Sequence, residues 1–557
     1  MIVVEKPGYR LELTDDGLRL QLGQLTLRPH ATFDTVEAVD ETIEVLPPRV
    51  FADGRIQLQR RSTVWERAVT TIDCTERQVE LRFTVTGRGV LTDVSLLALR
   101  SLLPEKPTGL LPSGYAVGGL TKLNCPNPAH ATGIRPIVEP AVVSAIGDGE
   151  PGRHHWFFTP APLYFAFGPE DESEWVDLGL AAPVEQLTFV EAAYAPRDGG
   201  FHLVLGYEGQ TEVEAEFAAP ALVLTPGVAD PEAGLRRHRG DLAARGAAPM
   251  VEERQQPAWW GEPMFCGWGA QVHLGETAGA SPMAQATQAN YDAFLERLEA
   301  EDLSPGTVVI DDKWQVAYGT NDPDEEKWPD LKGWIAQQHE RGRRVLLWWK
   351  AWDPEGFPPE LCVRTLEGTP VAVDPSHPGA REELSGMVER LVGPAGLDAD
   401  GLKIDFTART PSGRALERHG PEWGIALLHR LLATVHAAAK AAKPDALLIT
   451  QVPHPAFVGV ADMIRLNDMI GGHDSVVPQM RFRAEVVRAS TPELLVDTDD
   501  WRVPSRAAWR EYWETKAELG VPSLYYATHI DATGEPLEEA DYHLLRSVWN
   551  RYRTMRN

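Results

Sequence analysis

Lys403 and Asp405 stand two residues apart in the apolar run Gly401-Leu402-Lys403-Ile404-Asp405. On a β-strand this spacing puts both side chains on one face, because successive side chains alternate. A neighbouring ammonium keeps a carboxylate ionised at neutral pH, which is the state a nucleophile needs. A second carboxylic acid opposite could protonate a leaving oxygen. Two such carboxyls, flanked by hydroxyl-binding carboxylates and indole rings, form the constellation used in glycoside hydrolysis. Further candidates end other short apolar runs: Cys266-Gly267-Trp268, Asp311-Asp312-Lys313-Trp314, Trp348-Trp349-Lys350, Thr450-Gln451, Arg465-Leu466-Asn467-Asp468, Asp497-Thr498-Asp499-Asp500-Trp501 and Thr528-His529. Trp268 and Trp349 are expected as flat platforms for the C–H faces of a sugar. Gln451 and Trp501 complete the expected ligand-binding set. Of Asp497, Asp499 and Asp500, one is expected to meet the ligand and the others to face water.

These positions need a scaffold that brings strand ends to one mouth. Eight apolar β-type runs (264–268, 307–310, 344–349, 401–404, 446–450, 463–466, 493–496 and 522–526) alternate with helical stretches, the clearest at 284–300 and 422–442. That alternation predicts a (β/α)8 barrel, whose active sites lie at the C-terminal strand ends. A doubly wound sheet is the alternative, but no Gly-x-Gly-x-x-Gly follows any of these runs. Before residue 225 the pattern has period two: residues 10–22 alternate around an Asp16-Gly17 turn, and similar runs occur at 78–85 and 201–207. Many strands without helices predict a large antiparallel sandwich. The fold class is therefore β + α/β, an N-terminal antiparallel β-sandwich followed by a (β/α)8 TIM barrel. Residues 1–225 form the sandwich, 226–257 a linker with a helix capped by Asp230, and 258–557 the barrel. A Gly/Pro/Asn-rich stretch, 110–133, reads as a long loop on which Tyr115, Asn124 and Asn127 are solvated or cover the cleft.

Composition narrows the partners. Asp and Glu outnumber Lys and Arg by 81 to 53 in 557 residues, a formal charge of −28 that repels phosphate backbones and anionic membranes. Neither nucleic acid nor a membrane is expected as a partner. No apolar run is long enough to span a bilayer and the N-terminus has no signal-like apolar region, so a cytoplasmic protein is expected. The four cysteines have no metal-type spacing and read as free thiols. His454, His473 and His529 have neither HxH nor HExxH spacing, so no metal and no cofactor are expected. Of the 17 tryptophans most lie after residue 258, which suggests flat apolar walls in the barrel half, or ordinary core packing.

The barrel half, about residues 258–545, resembles glycoside hydrolase clan D, the α-galactosidase clan of families 27, 31 and 36, and is most similar to family 36. The resemblance rests on Gly267-Trp268, on Ile310-Asp311-Asp312-Lys313-Trp314-Gln315 with Trp328-Pro329-Asp330, and on Arg341-Gly342 before a strand ending in Trp-Trp. Asp374-Pro375-x-x-Pro378 and Leu402-Lys403-Ile404-Asp405 complete it. It implies retaining hydrolysis of terminal α-glycosides, α-galactosides above all, by double displacement. Asp405 is then the nucleophile and Asp311 and Asp312 bind sugar hydroxyls. The acid/base follows Arg465, which points to Asp468, with Asp474 as the alternative. Lys403 and Arg465 hold the charges. A small saccharide or glycoside is the implied partner, and the resemblance admits a homo-oligomer. An α-glycosidase or transglycosylase for another sugar, or a non-catalytic sugar-binding protein, are the other readings.

Overall fold

Leucines two residues apart build the start of the chain. Leu11, Leu13, Leu18, Leu20, Leu22, Leu25 and Leu27 are buried along three successive antiparallel strands, Tyr9–Thr14, Gly17–Leu22 and Leu25–Arg28. The computed structural model describes residues 2–14, 17–97, 109–112, 120–126, 133–147, 159–197, 200–250, 256–472 and 475–556. Two ten-stranded antiparallel sheets make up the first half, and their apolar faces form the N-terminal core. Gly17 opens its strand opposite Thr14, so the turn does not fall on Asp16-Gly17 as expected, and Asp15 and Asp16 lie outside the described residues. The stretch 110–133 is not one long loop. It contributes the strands Gly109–Pro112 and Leu120–Asn124, with Asn124 buried in the sheet, while Tyr115 and Asn127 lie outside the described residues.

The last sandwich strand, Ala221–Val228, runs into the helix Pro231–Ala244. Asp230 caps this helix, accepting from the Ala233 amide at 2.7 Å, and Pro231 occupies the first turn, where its missing N–H costs nothing. The helix packs on the sandwich and on the later helix Val476–Ser490. Its Arg237 pairs with Asp177 of the sandwich and its Arg239 with Glu493 of the barrel.

The second half closes an eight-stranded parallel sheet. Its strands, in chain order, are Met264–Cys266, Thr307–Ile310, Arg344–Lys350, Gly401–Asp405, Leu447–Thr450, Met463–Arg465, Leu495–Asp497 and Ser523–Leu524. The first seven pair in succession, the eighth pairs with the first, and a parallel bridge between Asp497 and Val521 joins the seventh strand to the segment leading into the eighth. This is a β-sandwich followed by a TIM barrel. Strand interiors are continuous apolar runs because both faces are covered. The helix expected at 284–300 is split. A short 3₁₀ turn, Pro282–Gln285, precedes the helix Gln288–Ala300, which Thr287 caps. Among the described residues no helix is long and apolar enough to cross a membrane.

The sandwich also braces the barrel mouth. The Gly147 amide donates to the Ala408 carbonyl at 2.8 Å, and the Thr159 amide to the Gln451 carbonyl at 3.2 Å. Gln210 and Glu208 bond the backbone of Gly413, each at 2.7 Å. The segment that follows the fourth strand is thus held from outside the barrel.

At the start of that strand Gly401 has φ near +151°, and a Cβ there would lie 2.0 Å from the Leu447 carbonyl oxygen of the fifth strand. Gly401→Ala is expected to push the two strands apart and to cost about 1–3 kcal/mol, the usual effect of overpacking. Circular-dichroism melting checks this; an unchanged midpoint would mean the ladder adjusts freely.

Candidate active site

The C-terminal strand ends open on a cavity of about 520 Å³, lined by Trp268, Asp311, Asp312, Trp348, Lys403, Asp405, Phe406, Arg409, Arg465, Asp468, Met469, Trp501 and Arg502. Eight of the sequence-derived candidates are therefore brought together: Trp268, Asp311, Asp312, Lys403, Asp405, Arg465, Asp468 and Trp501.

Lys403 and Asp405 project to the same side of the fourth strand, as their spacing requires. Lys403 lies deeper, with Nζ 2.6 Å from Asp311 Oδ2 and 3.4 Å from Cys266 Sγ. Burial works most strongly against its charge, but Asp311, with Cys266 and Asp405 adding to it, outweighs that and raises the ammonium pKa. Asp405 ends the strand. Its Oδ1 accepts from the Phe406 amide at 2.9 Å, from Arg465 Nη2 at 3.0 Å and from Gln451 Nε2, and its Oδ2 from Trp348 Nε1 at 3.2 Å. Desolvation pushes Asp405 up, yet Arg465 and then Lys403 outweigh it and hold the carboxyl below its ordinary value.

Asp468 occupies the segment after the sixth strand. Arg465 Nη1 meets its Oδ1 at 3.2 Å and Asp499 Oδ2 at 2.8 Å, so one guanidinium serves three carboxylates. A third of the Asp468 side chain is open, on the side that lines the cavity. Desolvation there pushes it up to about 7 against the pull of Arg465, with Asp499 and Asp405 adding to the rise. Two carboxyls on one arginine are thus driven in opposite directions. Asp474, the alternative acid/base, and His473 lie outside the described residues.

The opposite wall carries Asp312. Tyr318 donates to its Oδ1 at 2.9 Å, and the Tyr318 ring lies between the ammoniums of Lys313 and Lys350, at 4.1 and 4.0 Å. Desolvation lifts Asp312 to about 7, the Tyr318 bond holds it back, and Asp311 beside it adds to the rise. Trp268 and Trp501 meet edge to face at 5.8 Å, with Trp501 Nε1 donating to Asp531 at 3.0 Å.

Two expectations about side-chain direction are corrected. Trp349 is not on the cavity. The third strand pairs Trp348 with Lys403 and Trp349 with Ile404, so Trp348 shares the inner face and Trp349 is buried on the other. Trp348 lines the wall in its place. Nor do Asp497, Asp499 and Asp500 face water; all are buried. Asp499 holds Arg465, Asp500 pairs with Lys516 at 2.9 Å, and Asp497 accepts from Ser523. Gln451 lies behind the wall, reaching Asp405 rather than the open space. His454 caps a buried 3₁₀ turn, with burial pushing its pKa down to about 3, and His529 stacks on His273 at 4.1 Å. Phe406, Arg409, Met469, Arg502 and Tyr318 were not foreseen; they sit on loops or carry no spacing signal. Trp348 stands two residues before Lys350, but which of the two faces of this strand turns inward is set by its pairing with Lys403 of the neighbouring strand.

No family model and no curated protein sequence matches the chain. Solved structures do. An alpha-galactosidase from Thermus thermophilus in complex with stachyose is 15% identical, with a TM-score of 0.55 over 86% of this chain and 97% of that one. The chain has the fold of glycoside hydrolases. A GH31 family sulfoquinovosidase from E. rectale aligns with a TM-score of 0.60 at 10% identity, over 99% of this chain and 83% of that one. A cycloalternan-degrading enzyme from Trueperella pyogenes gives 0.52 at 14%, over 98% and 75%.

The buried Lys403–Asp311 pair supports the floor of this cavity. Lys403→Met strands the Asp311 charge and is expected to destabilise the barrel by about 3–5 kcal/mol, and adding Asp311→Leu is expected to recover part of that. Urea unfolding of the single and double variants checks the sign of the coupling.

Proposed function

We propose that the protein is a retaining glycoside hydrolase acting on terminal α-glycosides, with α-galactosides as the preferred substrates. One observation carries the reading: Asp405 and Asp468 share the Arg465 guanidinium on one cavity wall, yet the first is held ionised and the second is raised to about 7. Pairs of carboxyls whose environments push them apart are the mark of acid and nucleophile roles. Stachyose and a p-nitrophenyl α-galactopyranoside are the ligands of the T. thermophilus alpha-galactosidase complexes, which supports the galactoside preference.

In the first step an Asp405 oxygen attacks the anomeric carbon and forms an ester. The C1–O electron pair leaves with the glycosidic oxygen, which takes the Asp468 proton. In the second, ionised Asp468 removes a proton from water. The hydroxyl bonds C1, and the ester pair returns to Asp405. Asp311 and Asp312 orient ring hydroxyls, with Trp268, Trp348 and Trp501 as the walls. The four cysteines are free thiols, which fits a reducing, cytoplasmic setting.

A second reading concerns the sugar alone. Arg409 and Arg502 also line the cavity and favour an α-glycoside bearing an acidic substituent. Aryl α-galactoside, α-glucoside and α-galacturonide, assayed side by side, separate the two readings.

Asp405→Ala is expected to lose turnover of aryl α-galactosides by at least about 10⁴-fold while melting normally; wild-type rates in that variant would remove the nucleophile assignment. Proton NMR of the first-formed sugar is expected to show the α-anomer.

The pH profile follows from the same pair. As pH rises through about 7 the wild-type kcat/KM is expected to fall, because Asp468 loses the proton it must donate. The acid limb lies below the ordinary carboxylate value, where Asp405 finally protonates. Asp468→Asn is expected to abolish the alkaline limb along with most of the rate on unactivated substrates.

A further inference from the structure

Residues 466–470 carry Asp468 past the end of the sixth strand and have no regular secondary structure. Buried carbonyls in such a segment need donors from elsewhere. One side chain supplies them. Arg483, in the helix Val476–Ser490, directs Nη1 to the carbonyl oxygens of Leu466, Asn467 and Asp468 at 2.8, 2.9 and 2.8 Å. Its Nη2 donates to Gln479 Oε1 at 2.7 Å, and Gln479, one turn earlier, both accepts from the Ile470 amide at 2.8 Å and donates to the Ile470 carbonyl at 2.7 Å. Both side chains are fully buried. Within this segment Asn467 stands at φ near +72°, in the left-handed region that asparagine tolerates better than other non-glycine residues.

We propose that Arg483, with Gln479, is the positioning residue of the general acid/base: it fixes the backbone of 466–470 and so aims the Asp468 carboxyl into the cavity. The inference rests on the acid/base reading of Asp468. The guanidinium serves the carbonyls from Nη1 and Gln479 Oε1 from Nη2, two directions that the single nitrogen of a lysine does not hold together, so lysine is a poor substitute although it keeps the charge. A clamp on the acid alone has a specific signature. It matters for substrates whose leaving oxygen needs a proton and not for those whose leaving group departs as a stable anion.

The test compares kcat/KM on phenyl and 2,4-dinitrophenyl α-galactosides. Arg483→Met is expected to lose about 100-fold on the phenyl substrate, the lower range for a general acid, and less than about 3-fold on the dinitrophenyl one. Sodium azide, a nucleophile that needs no base, is expected to raise its kcat on the dinitrophenyl substrate. Arg483→Lys and Gln479→Leu are expected to show smaller losses with the same leaving-group dependence, and they carry the test if Arg483→Met fails to fold. Equal losses on both substrates, or no loss on either, overturn the proposal. Asp468→Ala run in parallel separates the two levels: if it shows no leaving-group dependence, the acid/base reading itself has failed.

Discussion

Arg465 makes the site possible. Three carboxylates, on the fourth strand, on the loop after the sixth and at the end of the seventh, all lie within 3.2 Å of its two terminal nitrogens. Without that cation, these three carboxyls would crowd together with little counter-charge between them. The arginine has only one charge to share, and the sharing is unequal. Asp405 also feels Lys403, accepts from a backbone amide, an indole and a carboxamide, and is held ionised. At Asp468 the arginine is opposed by burial and by the neighbouring Asp499 and Asp405, and desolvation wins. Arg465 and Lys403 thus hold Asp405 ionised, while at Asp468 desolvation overrides the same arginine, and the two carboxyls part.

The same device recurs at two buried pairs: Lys403 with Asp311, between the fourth and second strands, and Lys516, on the helix Arg506–Leu519, with Asp500, each cation also meeting an aromatic face: Tyr525 for Lys403, Trp513 for Lys516. Removing one partner of such a pair leaves an uncompensated buried charge, so these residues specify the site more strictly than they stabilise the fold. The carboxylate-rich mouth is in this sense a consequence of its cations.

What the sequence discloses follows from geometry. Period-two spacing on a strand is rigid, and it disclosed Lys403 and Asp405 together with the strand ends that carry Asp311, Asp312, Arg465 and Asp468. The order of apolar runs disclosed the barrel. The choice between Trp348 and Trp349 turned on one residue of register against the neighbouring strand, which no single strand reveals. The acidity of Asp497-Thr498-Asp499-Asp500 suggested solvent exposure. Its counter-charges, Arg465, Lys516 and the hydroxyl of Ser523, come from other elements and become visible only once the chain is folded. The tryptophan surplus behaves likewise: Trp314, Trp328, Trp334, Trp423, Trp509, Trp513 and Trp549 are core, and among the described residues only Trp268, Trp348 and Trp501 of the tryptophans line the cavity.

The two central carboxyls also differ in what holds them. Asp405 lies on a ladder, in register with Lys350 of the third strand, and its position follows from the barrel itself. Asp468 lies beyond its ladder. Its backbone is set by side chains of one helix, by the Met469 amide donating to the Trp501 carbonyl at 2.8 Å, and by the Asn467 side chain, which accepts from the Asp468 amide at 3.0 Å. This division fits the two tasks proposed for these carboxyls. A nucleophile attacks one carbon along one line, so a rigid strand end suits it. The acid/base must give a proton to a glycosidic oxygen and later take one from water at nearly the same place. A loop fixed by hydrogen bonds can be placed independently of the nucleophile. The geometry of the leaving group is thereby separable from the geometry of the sugar, and a barrel of this kind can change its aglycone by altering loops while leaving the fourth strand untouched.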